Sequence, residues 1–171
     1  MEFGGFEKFT LIDFPGKVAC MVYTIGCPFR CPYCHNPELV DETCTARIGE
    51  NIILEFLDER KGMLDGIVIT GGEPTMHGEK LISFMRKVKH RGFLVKLDSN
   101  GVDPDFLQEA IEENLVDYIA MDIKSPLRKY SQTVSRPVDT DAIKSSIAII
   151  LESNIPYEFR TTVVRSMLSI D

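Results

Sequence analysis

Cys27, Cys31 and Cys34 stand in C-x3-C-x2-C spacing within the stretch Cys27-Pro-Phe-Arg-Cys31-Pro-Tyr-Cys34-His35-Asn36. Three thiolates on one short loop can hold three corners of an iron–sulfur cubane and leave the fourth iron without a protein ligand. Four cysteines would close the cluster for plain electron transfer. An iron left open in this way can bind and reduce a substrate. Two non-enzymatic alternatives share the same residues. Cys31-Pro-Tyr-Cys34-His35 satisfies the C-x-x-C-H haem-attachment pattern, and Cys27, Cys31, Cys34 and His35 form a donor set for structural zinc. The additional Cys27 and the lack of an export signal weigh against haem, and adjacent Cys34 and His35 would struggle to point at one zinc ion.

Three further polar clusters follow short apolar runs. Gly71-Gly72-Glu73-Pro74 offers two residues without a Cβ, where a backbone edge can approach a ligand, and a Glu-Pro pair that fixes the turn. Asp98-Ser99-Asn100-Gly101 presents small hydrogen-bonding groups but is also a good turn sequence. Asp122-Ile123-Lys124 places a carboxylate and a cation together. Asp98 and Asp122 would repel one another on a shared rim unless a cation or a cationic side chain sat between them.

Positioning these groups requires strands that end beside one another. β-Branched runs at Val18–Thr24, Gly66–Thr70, Phe93–Asp98, Asp117–Ile123 and Tyr157–Val164 read as five strands. Amphipathic segments lie between them. Ile48–Arg60 carries Ile52, Ile53, Phe56 and Leu57 on one face, and His77–His90 carries Leu81, Ile82, Met85 and Val88, with Gly92 as its stop. Asp103-Pro104 opens a third helix, and Thr140 or Asp141 caps a fourth bearing Ile143, Ile147, Ile150 and Leu151. A polar connection, Ser125–Val138, precedes that last helix. Strands alternating with helices predict an α/β fold with a parallel sheet, curled into a partial or full barrel, and functional loops at the C-terminal ends of the strands.

The chain has 171 residues, 44% of them hydrophobic, enough for one sizeable core, and residues 1–171 read as a single domain. A net charge of −7 argues against a nucleic-acid or membrane-surface footprint. No basic stretch followed by an apolar run opens the chain, and no segment reaches the ~18 apolar residues of a membrane span, which predicts a cytoplasmic protein. In that reducing compartment the cysteines read as metal ligands rather than disulfides. Cys20, alternating with Val18 and Val22, reads as a core residue, and Cys44 stands alone in a polar loop.

The cysteine loop, the Thr70-Gly-Gly-Glu-Pro-Thr75 string, the Asp-Ser-Asn-Gly turn and Met121-Asp-Ile-Lys124 together resemble the radical S-adenosylmethionine (SAM) superfamily along essentially the whole chain. In detail they look like the activating enzymes of glycyl-radical enzymes, of the anaerobic ribonucleoside-triphosphate reductase and pyruvate formate-lyase types. The resemblance implies a (β/α)6-type barrel, here with about five strands and without the last strand–helix unit. It also implies a [4Fe-4S] cluster on Cys27, Cys31 and Cys34, with SAM on the open iron. Reductive cleavage of SAM would give a 5′-deoxyadenosyl radical that abstracts hydrogen from a glycine of the partner enzyme, anaerobic ribonucleotide reductase being favoured. A flavodoxin- or ferredoxin-type donor would supply the electron. A radical SAM enzyme acting on a small molecule, similar to 7-carboxy-7-deazaguanine synthase, is the alternative.

Carried onto this sequence, the resemblance places Tyr33 near adenine, and Gly71, Gly72, Glu73 and Pro74 near the methionyl ammonium. Ser99 and Asn100 would meet ribose or methionyl oxygens, and Lys124, with Arg160, the methionyl carboxylate. Asp98 and Asp122 would hold a monovalent cation near SAM, as matching aspartates do in the pyruvate formate-lyase activators. His35 would face SAM or the substrate peptide, or bond to local backbone. The segment from Glu2 through Phe14-Pro15-Gly16 either caps the barrel bottom or reaches toward SAM. The incomplete barrel would leave a lateral edge for the N-terminal residues, a second copy or the partner enzyme to cover.

Overall fold

The structure, a computed structural model, describes residues 1–165. Its strands are β1 (Glu2–Phe3), β2 (Gly5–Thr10), β3 (Ala19–Thr24), β4 (Ile48–Gly49), β5 (Gly66–Gly71), β6 (Leu94–Ser99), β7 (Tyr118–Asp122) and β8 (Tyr157–Arg160). Its helices are α1 (Pro37–Val40), α2 (Glu50–Glu59), α3 (Glu79–His90), α4 (Pro104–Glu112), α5 (Tyr130–Thr133) and α6 (Thr140–Glu152). A six-stranded sheet runs in the order β2-β3-β5-β6-β7-β8. The five strands expected from the sequence form its parallel part.

The sixth strand, β2, was not foreseen. It lies antiparallel to β3, pairing Gly5 with Tyr23 and Glu7 with Met21, and covers that edge with the chain's own N-terminal residues. Its sequence, Gly-Phe-Glu-Lys-Phe-Thr, spaces its two apolar side chains, Phe6 and Phe9, three apart rather than two, so strand periodicity gave little signal. At the opposite edge β8 pairs with β7 alone among the described residues.

Strand register divides the side chains between two faces, because successive residues point to opposite sides. Cys20, Val22, Ile67, Ile69, Val95, Leu97, Ile119 and Met121 pack with the buried stripes of the helices into the main core. The stripe of α2 is Ile53, Leu54, Phe56 and Leu57, whereas Ile52 is 55% exposed, against expectation. The helix starts only at Glu50, since Ile48 and Gly49 pair with β1, and Leu54 takes the place expected of Ile52 on the buried stripe. Asp103 caps α4 as expected, accepting the Phe106 N–H at 2.9 Å. The cap of α6 is Asp139 rather than Thr140 or Asp141, because its carboxylate reaches the N–H groups of Asp141 (2.9 Å) and Ala142 (3.3 Å). Leu151 of that helix is largely exposed.

The other face is the barrel interior, and its polarity changes along its length. Phe14, Ala19, Met21 and Val68, with Tyr23, Leu94 and Tyr118, form a small apolar cluster at the N-terminal ends of the strands. Phe14 and Tyr118 meet there with ring centroids 6.2 Å apart. The Phe14 segment therefore closes the bottom of the barrel. Towards the C-terminal ends the same face carries Lys96, Asp98, Asp122, Glu158 and Arg160. No described helix is long and apolar enough to cross a membrane.

Candidate functional site

A cavity of about 370 Å³ opens at the C-terminal ends of the parallel strands, a size suited to a cofactor-sized ligand. Cys27, Cys31 and Cys34 border it together with Tyr33, His35, Gly71, Gly72, Glu73, Asp98, Ser99, Asn100, Asp122, Lys124 and Arg160. Every residue expected to bind the cluster, SAM or a cation lines it except Pro74, which is buried and opens a short 3-10 turn.

The loop carrying the cysteines is held from several sides. The Gly26 N–H reaches the Leu39 carbonyl at 2.8 Å, and the Arg30 N–H reaches Val134 at 2.8 Å. The Arg30 guanidinium donates to the carbonyls of Cys27 (2.6 Å) and Phe29 (2.8 Å) and pairs with Asp41 at 3.2 Å. Phe29 packs against the fully buried Tyr130 of α5, ring centroids 6.2 Å apart, so the connection expected to be polar supplies an aromatic wall behind the loop.

The close backbone approach expected of the two glycines is made to this loop. The Gly72 N–H bonds the Thr24 carbonyl at 2.9 Å, and the Glu73 N–H bonds Gly26 at 2.7 Å. A Cβ on Gly72 would sit 2.0 Å from the Gly26 oxygen, and one on Gly71, whose φ is +118°, would sit 2.3 Å from the Thr24 nitrogen. Only glycine fits either position.

Glu73 is 1% exposed, and its carboxylate is satisfied from within. It accepts from the Thr75 hydroxyl and the Ser99 hydroxyl, each at 2.8 Å, from the Thr75 N–H at 3.2 Å and from the Asn100 N–H at 2.7 Å. Burial raises its pKa, and the four donors oppose the rise. Thr75 was not singled out in the sequence, yet it completes this cradle.

The thiols fit an iron–sulfur cluster. Cys27 Sγ accepts from the Phe29 N–H at 3.4 Å and from Asn100 Nδ2 at 3.8 Å, the kind of contact that tunes a cluster thiolate. Burial pushes the Cys27 thiol up to about 11 and raises Cys31, so their thiolates need positive charge beside them, which iron supplies. The Tyr33 hydroxyl is buried on the cavity wall, beside Cys31. Burial pushes its pKa up to about 12. His35 lies exposed at the rim. Cys20 is fully buried in the core, as expected, and Cys44 Sγ accepts from Arg47 at 3.3 Å.

Asp98 and Asp122 do share one rim, and side-chain cations stand between and beside them. Arg160 donates to Asp122 Oδ1 at 3.0 Å and Asp98 Oδ2 at 3.2 Å, Lys124 donates to Asp122 Oδ2 at 2.9 Å, and Lys96 bonds Asp98 Oδ1. Burial alone would raise Asp122, but the charges of Lys124 and Arg160 prevail and hold it below its ordinary value. Burial alone would lower Lys124 and Arg160, and the carboxylates raise both. Lys96 was missed in the sequence, although Leu94, Lys96 and Asp98 alternate onto one face of a strand.

Residues 21–168 match the family model of the radical SAM superfamily. The chain belongs to the radical SAM superfamily. Its cofactors are accordingly a [4Fe-4S] cluster and SAM, and the haem reading falls away. This radical SAM chain is 35% identical over 170 residues to a provisionally named glycyl-radical enzyme activating enzyme of Methanocaldococcus jannaschii, covering 96% of this chain and 69% of that protein. It is 30% identical over 128 residues to the pyruvate formate-lyase-activating enzyme of Streptococcus mutans, covering 69% of this chain and 48% of that enzyme. It thus spans about half of the second relative's length. Among solved structures, anSMEcpe with bound AdoMet superposes with a TM-score of 0.57 at 18% identity, over 80% of this chain and 41% of that one, a likeness of fold.

Proposed function

We propose that this radical SAM chain activates a glycyl-radical enzyme. The observation that carries the reading is similarity to a glycyl-radical enzyme activating enzyme along 96% of the chain, joined to a cavity that gathers the three cysteines with the strand-end clusters. When bound, the cluster would supply the electron for reductive cleavage of SAM, and with it the hydrogen-abstracting chemistry directed at a glycine of the partner.

The chain's own residues hold and orient these groups. Cys27, Cys31 and Cys34 would hold the cluster, and the Asn100 side-chain amide donates to the Cys27 sulfur. The ring of Tyr33, on the cavity wall, offers a face for adenine. Lys124, kept charged by Asp122, stands at the cavity for the methionyl carboxylate. A flavodoxin- or ferredoxin-type protein of the cytoplasm is the electron donor in this reading. Anaerobic ribonucleotide reductase is the partner favoured by the motif resemblance.

The test is electron paramagnetic resonance on anaerobic protein with its cluster reconstituted, reduced and mixed with SAM and candidate glycyl-radical enzymes. The expected result is a glycyl-radical doublet on one partner. Failure with anaerobic ribonucleotide reductase, pyruvate formate-lyase and the glycyl-radical enzyme encoded nearest the gene would overturn the reading.

A further inference from the structure

Lys96 and Glu73 are the two charged residues that are almost fully buried among the described residues, each 1% exposed. Glu73 is explained by its four donors. Lys96 lies on the interior face of β6, beneath the cavity and not on its wall. An ammonium placed there costs stability unless carboxylates answer it. Its Nζ bonds Asp98 Oδ1, lies 3.9 Å from Glu158 Oε1 and sits 5.8 Å from the Tyr118 ring centroid.

Lys96 begins a series of alternating charges. Asp98 accepts from Lys96 on one oxygen and from Arg160 on the other, and Arg160 passes on to Asp122, whose second oxygen meets Lys124. Arg160 also lies 3.8 Å from Glu158. Lys96, Lys124 and Arg160 balance Asp98, Asp122 and Glu158, three charges against three. The monovalent cation that the family resemblance implies at Asp98 and Asp122 does not fit this arrangement. The space between the two carboxylates holds a guanidinium, and the remaining oxygen of Asp98 is bonded to a buried ammonium.

We propose that Lys96 takes the place of an inorganic cation, balancing Asp98 from inside the barrel so that SAM binds without sodium or potassium. Lys96 is a positioning residue, because it acts on the cavity through Asp98 and Arg160. The proposal rests on SAM binding, which follows from the family, and its test contains no partner enzyme, so its failure is separate from failure of the glycyl-radical reading.

The experiment measures SAM affinity of the anaerobic, cluster-loaded protein by equilibrium dialysis in choline, sodium or potassium chloride at equal ionic strength. Wild type is expected to vary by no more than about twofold among the salts, and Lys96→Met to weaken by about tenfold in choline and recover in sodium or potassium. Lys96→Arg should remain indifferent to the salt. A wild type that needs sodium or potassium overturns the proposal. So does a Lys96→Met protein weakened equally in all three salts, since that marks a merely structural role. If Lys96→Met does not fold, wild type and Lys96→Arg across the three salts decide the matter.

Discussion

The Glu73 carboxylate accepts the Asn100 backbone N–H at 2.7 Å, tying the loop after β5 to the loop after β6. With Ser99 and Thr75 on its other oxygen, Glu73 makes two strand-end loops into one unit. Asn100 in turn reaches the Cys27 sulfur, so the unit extends to the cluster loop. Replacing Glu73 by Ala leaves several buried donors unanswered and should cost about 2–4 kcal/mol, measured by denaturant unfolding of the cluster-loaded protein. Unchanged stability with weakened SAM binding would show that Glu73 acts on the ligand instead.

Gly72 meets the cysteine loop where no side chain fits, with 2.0 Å between its would-be Cβ and the Gly26 oxygen. Gly72→Ala should displace that loop and lower cluster loading although Cys27, Cys31 and Cys34 are all present. Iron and sulfide per chain after anaerobic reconstitution check this, and full loading would contradict it.

One part of the pH dependence of stability follows from the interior charges. Asp122 is depressed below its ordinary value of 3.8, so its contribution holds above that value and disappears as pH falls through the lower folded pKa. Lys124 is raised above 10.5, so its contribution is complete below that value and disappears as pH rises through the higher folded pKa. Between those limits the contribution of the Asp122–Lys124 pair should be flat, so the loss of folding stability caused by Asp122→Asn, measured by denaturant unfolding, should vary little across pH 6 to 9.

Phe14 closes the interior far from the cavity. Phe14→Ala should cost about 3–4 kcal/mol in unfolding measurements while leaving SAM affinity of the folded protein unchanged. Loss of affinity at full folding would show that the segment reaches the ligand.

Much of this was legible in the sequence because the signals were local. Four of the five parallel strands, β3, β5, β6 and β7, are short apolar runs with the polar clusters at or just after their ends, so reading the strands also located the site. What escaped depends on register and tertiary distance. The β2 strand is short of pattern, and whether Ile52 or Leu54 joins the buried stripe of α2 is decided by packing that periodicity does not resolve. The glycines at 71 and 72 were tied to a close approach, but only the fold shows that the neighbour is the chain's own Gly26. The Arg160 bridge spans three strands, from β8 across β7 to β6, a distance that no sequence spacing encodes.

The most direct test of the central claim is isotope transfer. A partner glycyl-radical enzyme carrying α-deuterated glycine is incubated with the reduced, cluster-loaded protein and SAM, and the 5′-deoxyadenosine formed is analysed by mass spectrometry. The account predicts deuterium in the 5′-deoxyadenosine, appearing together with the glycyl radical on the partner. 5′-Deoxyadenosine that forms in the presence of the partner without gaining deuterium would contradict it.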